Sequence, residues 1–326
     1  MVLGGLARRV TFVNQLRAKQ NHLIVVDSGR LFQDPRTAND AEQVRMNARL
    51  ISRIYGHMGV HAVNVGDLEL LQGIPFLKEQ AARGLNLISA NLVERSSEHS
   101  IFPPYVIYTA GNVRIAFFGL LDPDPDPEID KALGKDAVII DPIKAAQTLV
   151  PQLTEKADVV ILLSDLGLNK ERKLIRKILG IHFIMGGREG RFSKKLSNEE
   201  ETYVGQSYRT GMYTGMLDLT VKNVTSPFRD EGRKFQIQEE MTDLDRHLKR
   251  IEEAMKKDKR SELKRTFQAL ARKRAQLLET LNDLDRSPYI GNSFRWELTP
   301  LNDSYEENRE IVKWIGTAGF TEYPKQ

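Results

Sequence analysis

Leu23-Ile24-Val25-Val26-Asp27-Ser28-Gly29-Arg30-Leu31-Phe32 is the stretch on which the fold turns. Its apolar run, with two β-branched valines, reads as a buried parallel strand. Asp-Ser-Gly then ends that strand sharply. In an open α/β sheet ligands sit just beyond the carboxyl ends of the strands, so this turn is expected to face a site. Three later stretches share the pattern of strand then polar turn: Ala62–Glu69, Val159–Gly167 and Phe183–Gly190. Four such turns can converge on one pocket, and their residue types then decide its chemistry.

The chain of 326 residues can hold one large α/β domain with an appendage, or two domains. With 40% hydrophobic and 28% charged residues it has the composition of a globular domain with a well-solvated surface. A net charge of +4 is small for this length, and no zinc-finger, RNA-binding or basic-arm pattern accompanies it, so nucleic acid is not an expected partner. Without cysteine there are no disulfides, thiolate metal sites or cysteine nucleophiles. No apolar run reaches the roughly 20 residues of a membrane-spanning helix, and no signal peptide is visible. Met1-Val2-Leu3-Gly4-Gly5 leads almost directly into a helix, from which a missing N-terminal segment is expected.

Apolar spacing predicts helices over Leu6–Lys19, Asp40–Met58, Ile74–Arg83, Pro142–Lys156, Asn169–Leu179 and Tyr305–Ile315. A further strand is predicted at Leu85–Ala90, ending at Asn91. Tyr105–Tyr108 and Val113–Leu120 predict a hairpin turning at Gly111-Asn112. Asp122-Pro123-Asp124-Pro125-Asp126-Pro127 is a loop whose acidic repeat suggests calcium, although proline at alternate positions hinders the tight wrapping that such a loop needs. Strand–helix alternation over the first two hundred residues predicts a layered α/β sheet.

After Pro227 the pattern changes. Ile237, Met241, Leu244, Leu248, Ile251 and Met255, then Leu263, Phe267, Leu270, Leu277, Leu281 and Leu284, form a heptad seam on two helices, with Arg274 in one seam position. The reading is an antiparallel helical hairpin, broken at Lys256–Ser261. It is either a self-sealing decoration or an arm for docking or self-association through residues 235–285, and Arg274 is either a register device or a snorkelling side chain. Ser293–Leu298 returns as an alternating strand expected to pair with Leu217–Val221. The expected domains are therefore residues 1–226 with 287–326, and an inserted hairpin at 227–286. The end at Tyr323–Gln326 reads as a linker.

The order of these motifs resembles the metallophosphoesterase domain of the 5′-nucleotidase and UDP-sugar hydrolase family, over about two-thirds of the chain. Val26-Asp27-Ser28-Gly29-Arg30 stands where that family has an aspartate after the glycine. Val65-Gly66-Asp67-Leu68-Glu69 stands at its Gly-Asn-His-Glu, Leu163-Ser164-Asp165-Leu166-Gly167 at its Leu-Ser-His-x-Gly, and Gly186-Gly187-Arg188-Glu189-Gly190 at its Gly-Gly-His-x-His. Asn91, and Gln206-Ser207-Tyr208 through Gly215, also fit the family. The resemblance implies a calcineurin-like α/β sandwich of two sheets flanked by helices, here with an inserted antiparallel coiled-coil hairpin. It also implies a periplasmic or cell-surface location. Some similar bacterial domains are joined to multihaem cytochromes, a partner that would have to lie beyond Gln326 because no Cys-x-x-Cys-His site occurs in this chain.

The family holds two metal ions with carboxylates, histidines and an asparagine, and uses them to activate water against a phosphoryl group. Here the bridging aspartate is Arg30, the asparagine is Asp67, its histidine neighbour is Leu68, and the later histidines are Asp165, Arg188 and Gly190. A guanidinium carries donors only and stays protonated, so it ligates no metal. Unit charges repel by ~4 kcal/mol at 4 Å and an effective dielectric of 20, so a guanidinium at a bridging position repels both metal ions. The expectation is that Arg30 and Arg188 pair with Asp67, Asp165 or Asp27 in the former metal cavity.

Three readings follow. In the first, the chain is a non-catalytic scaffold or binding module with no cofactor, its altered site comprising Asp27, Arg30, Asp67, Glu69, Asn91, Asp165, Arg188 and Glu189. In the second it is a phosphohydrolase with a rearranged site, where Asp27, Asp67, Glu69 and Asp165, with the family's first Asp-x-His motif expected before Met1, bind one divalent metal, Asp27, Asp67 and Asp165 being the candidate ligands in this chain. In the third, Arg30 and Arg188, near the Gly187 amide, hold a phosphate or carboxylate. His22, His57, His61, His99, His182 and His247 fall outside the family's ligand positions, and structural roles are expected for them.

Overall fold

A computed structural model describes residues 3–123, 126–208, 211–257, 261–286 and 291–317. The middle of the acidic proline-rich loop, half of the expected break between the seam helices, and the Tyr323–Gln326 linker lie outside these residues. Two units are present, one formed by Met1–Gly215 with Leu298–Gln326, the other by Met216–Glu297.

In chain order the first unit begins with α1 (Leu6–Lys19), β1 (Val26–Asp27), α2 (Ala41–His57), β2 (Ala62–Asn64), α3 (Asp67–Leu70), α4 (Ile74–Ala82), β3 (Leu87–Ile88) and β4 (Leu92–Glu94). It continues with β5 (Tyr105–Ala110), β6 (Val113–Leu121), α5 (Pro127–Leu133), β7 (Ala137–Ile139), α6 (Pro142–Lys156), β8 (Val159–Asp165), α7 (Leu168–Ile175), β9 (Phe183–Gly186), β10 (Ser197–Glu199) and β11 (Thr202–Gln206). β12 (Tyr213–Thr220) runs on into the second unit, which adds β13 (Phe228–Asp230), α8 (Gly232–Lys257), α9 (Ser261–Arg286) and β14 (Asn292–Pro300). α10 (Arg309–Thr317) returns to the first.

The largest sheet has the order β10-β11-β9-β8-β6-β5. Its middle strands β6, β8, β9 and β11 are parallel, and β5 and β10 add antiparallel edges. All of β8 is buried, as a central strand covered on both faces must be. A second, parallel sheet runs β1-β2-β3. The two layers are joined where Asn64 Nδ2 donates to the Leu120 carbonyl at 3.0 Å and the Tyr108 hydroxyl to the His61 carbonyl at 2.8 Å. One apolar core, including Val10, Ile54, Val63 and Leu77, fills the side of α1, α2 and α4. Another, including Phe118, Val150, Leu162 and Leu174, lies between the large sheet and α6 and α7.

Most predicted elements are found near their expected bounds, and the differences have local causes. The Asp40 side chain accepts from the amides of Glu42 and Gln43, so α2 starts one residue late. Asn308 caps α10 in the same way, moving its start from Tyr305 to Arg309. The strand expected over Leu23–Val26 is regular only at Val26–Asp27: at Val25 the carbonyl accepts from the His61 amide at 2.7 Å, but the Val25 amide donates to the imidazole of His61 instead of to backbone.

In the second unit β14 lies between β12 and β13, so the Ser293–Leu298 strand does neighbour the Leu217–Val221 region. α8 and α9 are joined by the pairs Lys234–Asp285, Glu240–Lys273 at 2.6 Å and Asp245–Arg274. Lys234, near the start of α8, meets Asp285 near the end of α9, whereas Asp245, further along α8, meets Arg274, earlier on α9, so the two helices run antiparallel. Ile237 and Leu244 are buried.

Candidate functional site

Three strand ends meet beyond β1, β2 and β8. Gly29 has φ +97, and a Cβ there would come 2.8 Å from the Asn64 carbonyl, so the turn after β1 requires glycine. Arg30 follows at φ 59, in the left-handed region that side chains rarely adopt. Glu69 holds this turn. Its carboxylate accepts from the amides of Arg30 at 2.8 Å, Leu31 at 2.6 Å, Phe32 at 3.2 Å and Gly66 at 2.9 Å. Burial pushes Glu69 up to about 7, against the pull of these donors.

Arg30 Nη1 lies 2.6 Å from Asp67 Oδ2, and Arg188 Nη1 lies 3.7 Å from the same oxygen. Arg188 Nη1 is also 3.5 Å from Asp165 Oδ2, and its Nε is 3.8 Å from Asp122 Oδ2. Asp122 pairs with Lys170 as well. Asp165 Oδ2 accepts from the Asp67 amide at 2.9 Å, and its Oδ1 is 4.0 Å from Arg30. The Asp165 side chain is 1% exposed, whereas Arg30 and Arg188 are 29% and 28% exposed. Burial first, and the neighbouring Asp67 second, raise Asp165 to about 8, opposed by the Asp67 amide and both arginines. A cavity of about 130 Å³ opens beside this cluster, lined by Asp67, Asp122, Asp126, Arg188 and the apolar Leu70, Leu121 and Ile129.

Arg30 and Arg188 thus take Asp67 and Asp165 as partners, two of the three carboxylates expected. Asp27 is engaged elsewhere. The Tyr55 hydroxyl donates to its Oδ2 at 2.8 Å, and Arg9, 3.9 Å away, donates to Tyr55 at 2.6 Å. Burial raises Asp27 and Arg9 opposes the shift. Asn91 is not in the cluster either. Buried, it donates to the carbonyls of Leu121 and Ile140 and accepts from the Leu121 amide, tying three backbone groups together. Glu189 turns to the Leu168 amide and to Gln206 Nε2, each at 2.6 Å. The Gly187 amide donates to the Ser164 carbonyl at 3.0 Å, so it is not free to receive the anion expected of it.

Arg9, Tyr55, Asp122 and Lys170 were not among the sequence candidates. Arg9 lies on α1, whose apolar spacing says only that it packs, and Asp122 belongs to the acidic proline-rich loop. Of that loop, Asp126 caps α5 and pairs with Arg36 at 2.6 Å, so Asp122 and Asp126 both face cations of the chain itself. His61 and His182 each accept a backbone amide on Nδ1, from Val25 and Val160, which is a structural role.

The residues present do not fit the two metal ions that the resemblance implies. Asp67 and Asp165 face guanidinium groups, Asp27 faces Arg9 and Tyr55, and no group of three or more His, Asp or Glu among the described residues is placed to hold an ion.

No family model matches the chain. It is 26% identical over 253 residues to the trifunctional nucleotide phosphoesterase protein YfkN of Bacillus subtilis, covering 65% of this chain and 17% of that protein. It is 26% identical over 246 residues to the 5′-nucleotidase of Bos taurus, covering 67% and 41%. The chain spans less than half the length of these relatives. Among solved structures, the sulfate thiohydrolase SoxB of Thermus thermophilus superposes with a TM-score of 0.67 at 14% identity, over 97% of this chain and 46% of that one. The calcineurin-like phosphoesterase YfkN of Bacillus subtilis gives 0.63 at 16% identity, over 98% and 89%. The homologues are 5′-nucleotidases, UshA and YfkN, and the mixed α/β fold is that of the 5′-nucleotidase and SoxB metallophosphoesterases.

Proposed function

We propose that this chain is a non-catalytic, metallophosphoesterase-like binding module, in which ion pairs stand where the fold otherwise carries two metal ions. The observation that carries the reading is Arg30 Nη1 at 2.6 Å from Asp67 Oδ2, with Arg188 on the same carboxylate. A divalent ion at Asp67 would have to displace a guanidinium at hydrogen-bond distance and then sit beside a second one. The paired helices α8 and α9 serve in this reading as an inserted coiled-coil hairpin for docking or self-association. The protein works in the periplasm or at the cell surface.

The test is metal analysis of the protein as isolated, together with assays of nucleotide and p-nitrophenyl phosphate hydrolysis across Mn²⁺, Zn²⁺ and Mg²⁺. Sub-stoichiometric metal and no turnover are expected. Stoichiometric metal with turnover would establish the rearranged phosphohydrolase instead. An anion-binding role is favoured by the partial exposure of Arg30 and Arg188. It is read from whether phosphate or nucleotides raise the melting temperature.

A further inference from the structure

The carboxyl ends of the large sheet open onto a second cavity. β6 and β8 are parallel neighbours, and α6 and α7 cover them on one face. Beyond the strand ends a space of about 420 Å³ is left between the two helices. Pro123 reaches it after β6, Leu166 after β8, Pro142 and Ile143 from the first turn of α6, and Leu174 from α7. Open α/β sheets take their ligands at this end. The volume lies within the ~300–1,000 Å³ of small-molecule sites, which the cavity of about 130 Å³ beside the ion pairs does not reach. The two cavities have no lining residue in common. Asp122 lines the smaller and Lys170 the larger, and the ion pair of these two residues stands between them.

The wall of the larger cavity has two chemistries. Among the described residues its apolar part is aliphatic throughout, with no aromatic ring. Leu166 and Leu174 are buried, and Ile143 is half-buried. The polar part is Lys170, Lys173 and Asp141. Lys170 and Lys173 are three residues apart on α7 and share a face with Leu174. Asp141 is turned to its own helix, its Oδ1 accepting from the amides of Ile143 at 2.7 Å and Lys144 at 3.3 Å. Lys170 pairs with Asp122. Lys173 is exposed and makes no ion pair or hydrogen bond among the described residues. A cation without an answering charge therefore stands beside an aliphatic cavity.

We propose that this cavity binds a small free aliphatic anion, a carboxylate on a short alkyl chain, with the chain against Leu166, Leu174 and Ile143 and the carboxylate at Lys173 and Lys170. Aliphatic walls reward burial of a chain but give a nucleobase no ring to stack on. An ammonium answers a carboxylate as a compact point charge. The inference goes beyond the proposed function and stands whether or not the ion-paired cluster is catalytic.

The experiment titrates the whole 326-residue protein with sodium octanoate, up to tens of millimolar, and follows the methyl resonances of Ile143, Leu166 and Leu174. Saturable shifts at these residues are expected. From butanoate through hexanoate to octanoate the affinity should rise at least twofold per methylene, toward the roughly fourfold of a fully buried one. Octanamide keeps the chain and loses the charge, and is expected to bind about tenfold more weakly. In Lys173→Gln, a change at an exposed position, that preference for octanoate over octanamide should shrink at least threefold. The comparison of ligands on the parent protein depends on no variant. Octanoate that shifts none of the three residues at the highest concentration overturns the proposal, as does binding confined to other residues. Equal affinities for octanoate and octanamide also overturn it, and an undiminished preference in Lys173→Gln overturns the placing of the carboxylate at Lys173.

Discussion

Arg30 Nη1 stands 2.6 Å from Asp67 Oδ2, while Arg188 reaches the same oxygen at 3.7 Å. One half-buried carboxylate thus holds two guanidinium groups, and the three side chains act as a unit. Removing Asp67 leaves both cations without their shared partner, which costs more than the pair contributes when intact. Asp67→Asn is expected to destabilise the protein by about 1–3 kcal/mol in urea unfolding. Adding Arg30→Met to that variant should cost clearly less than the sum of the two single changes, the mark of coupled neighbours. Additive losses would mean that the two side chains are independent.

The backbone of Arg30 separates two effects of replacing it. At φ 59 any residue with a Cβ is strained, and glycine is not. Arg30→Ala and Arg30→Gly remove the same guanidinium, yet the glycine variant should be the more stable by about 1 kcal/mol. Equal stabilities, measured by the same unfolding midpoint, would show that the turn relaxes without strain. Where the parent takes up no metal, stoichiometric Mn²⁺ in both variants would assign the exclusion to the guanidinium, and none in either would mean that other ligands are lacking.

Much of this cluster was legible in the sequence. Asp67, Asp165, Arg30 and Arg188 stand at strand ends that the topology brings together, and their opposite signs point to pairing. Asp27 was misplaced because its partners, Arg9 on α1 and Tyr55 on α2, are contributed by helices whose apolar spacing says only that they pack. Asn91 and Glu189 also follow strands, but residue type alone does not tell a side chain that lines a cavity from one that ties backbone groups together. The shortness of β1 was hidden for a similar reason. An imidazole, His61, takes the hydrogen bond that a ladder partner would receive.

Glu69 is the keystone of the turn through its acceptors alone. Each of its oxygens receives two amide donors, and the residue is fully buried. Glu69→Gln would put an NH₂ group against two N–H donors. A loss of about 2–4 kcal/mol is expected, with faster amide exchange at Arg30, Leu31 and Phe32. A substitution that left exchange at these three amides unchanged would mean that the loop is held by other contacts.

Glu171 gives a pH dependence that can be isolated. It is 1% exposed, no well-formed hydrogen bond reaches either of its oxygens, and the Ser164 hydroxyl and two further acids, Glu189 and Glu199, surround it. Burial chiefly, then the acids, push it from 4.5 up to about 7. The native state therefore keeps a proton that the unfolded chain releases near 4.5, so stability falls as pH rises from 4.5 to about 7 and then levels off. The displacement corresponds to about 3 kcal/mol. Glu69 and Asp165, also raised, titrate in overlapping ranges, so the whole protein's curve does not identify Glu171 by itself. The difference between Glu171→Gln and the parent does. The variant should match the parent near pH 4.5 and exceed it by up to about 3 kcal/mol at pH 8. Parallel stability curves for the two proteins, from urea unfolding at half-unit pH steps, would show that Glu171 ionises in the folded state at its ordinary value.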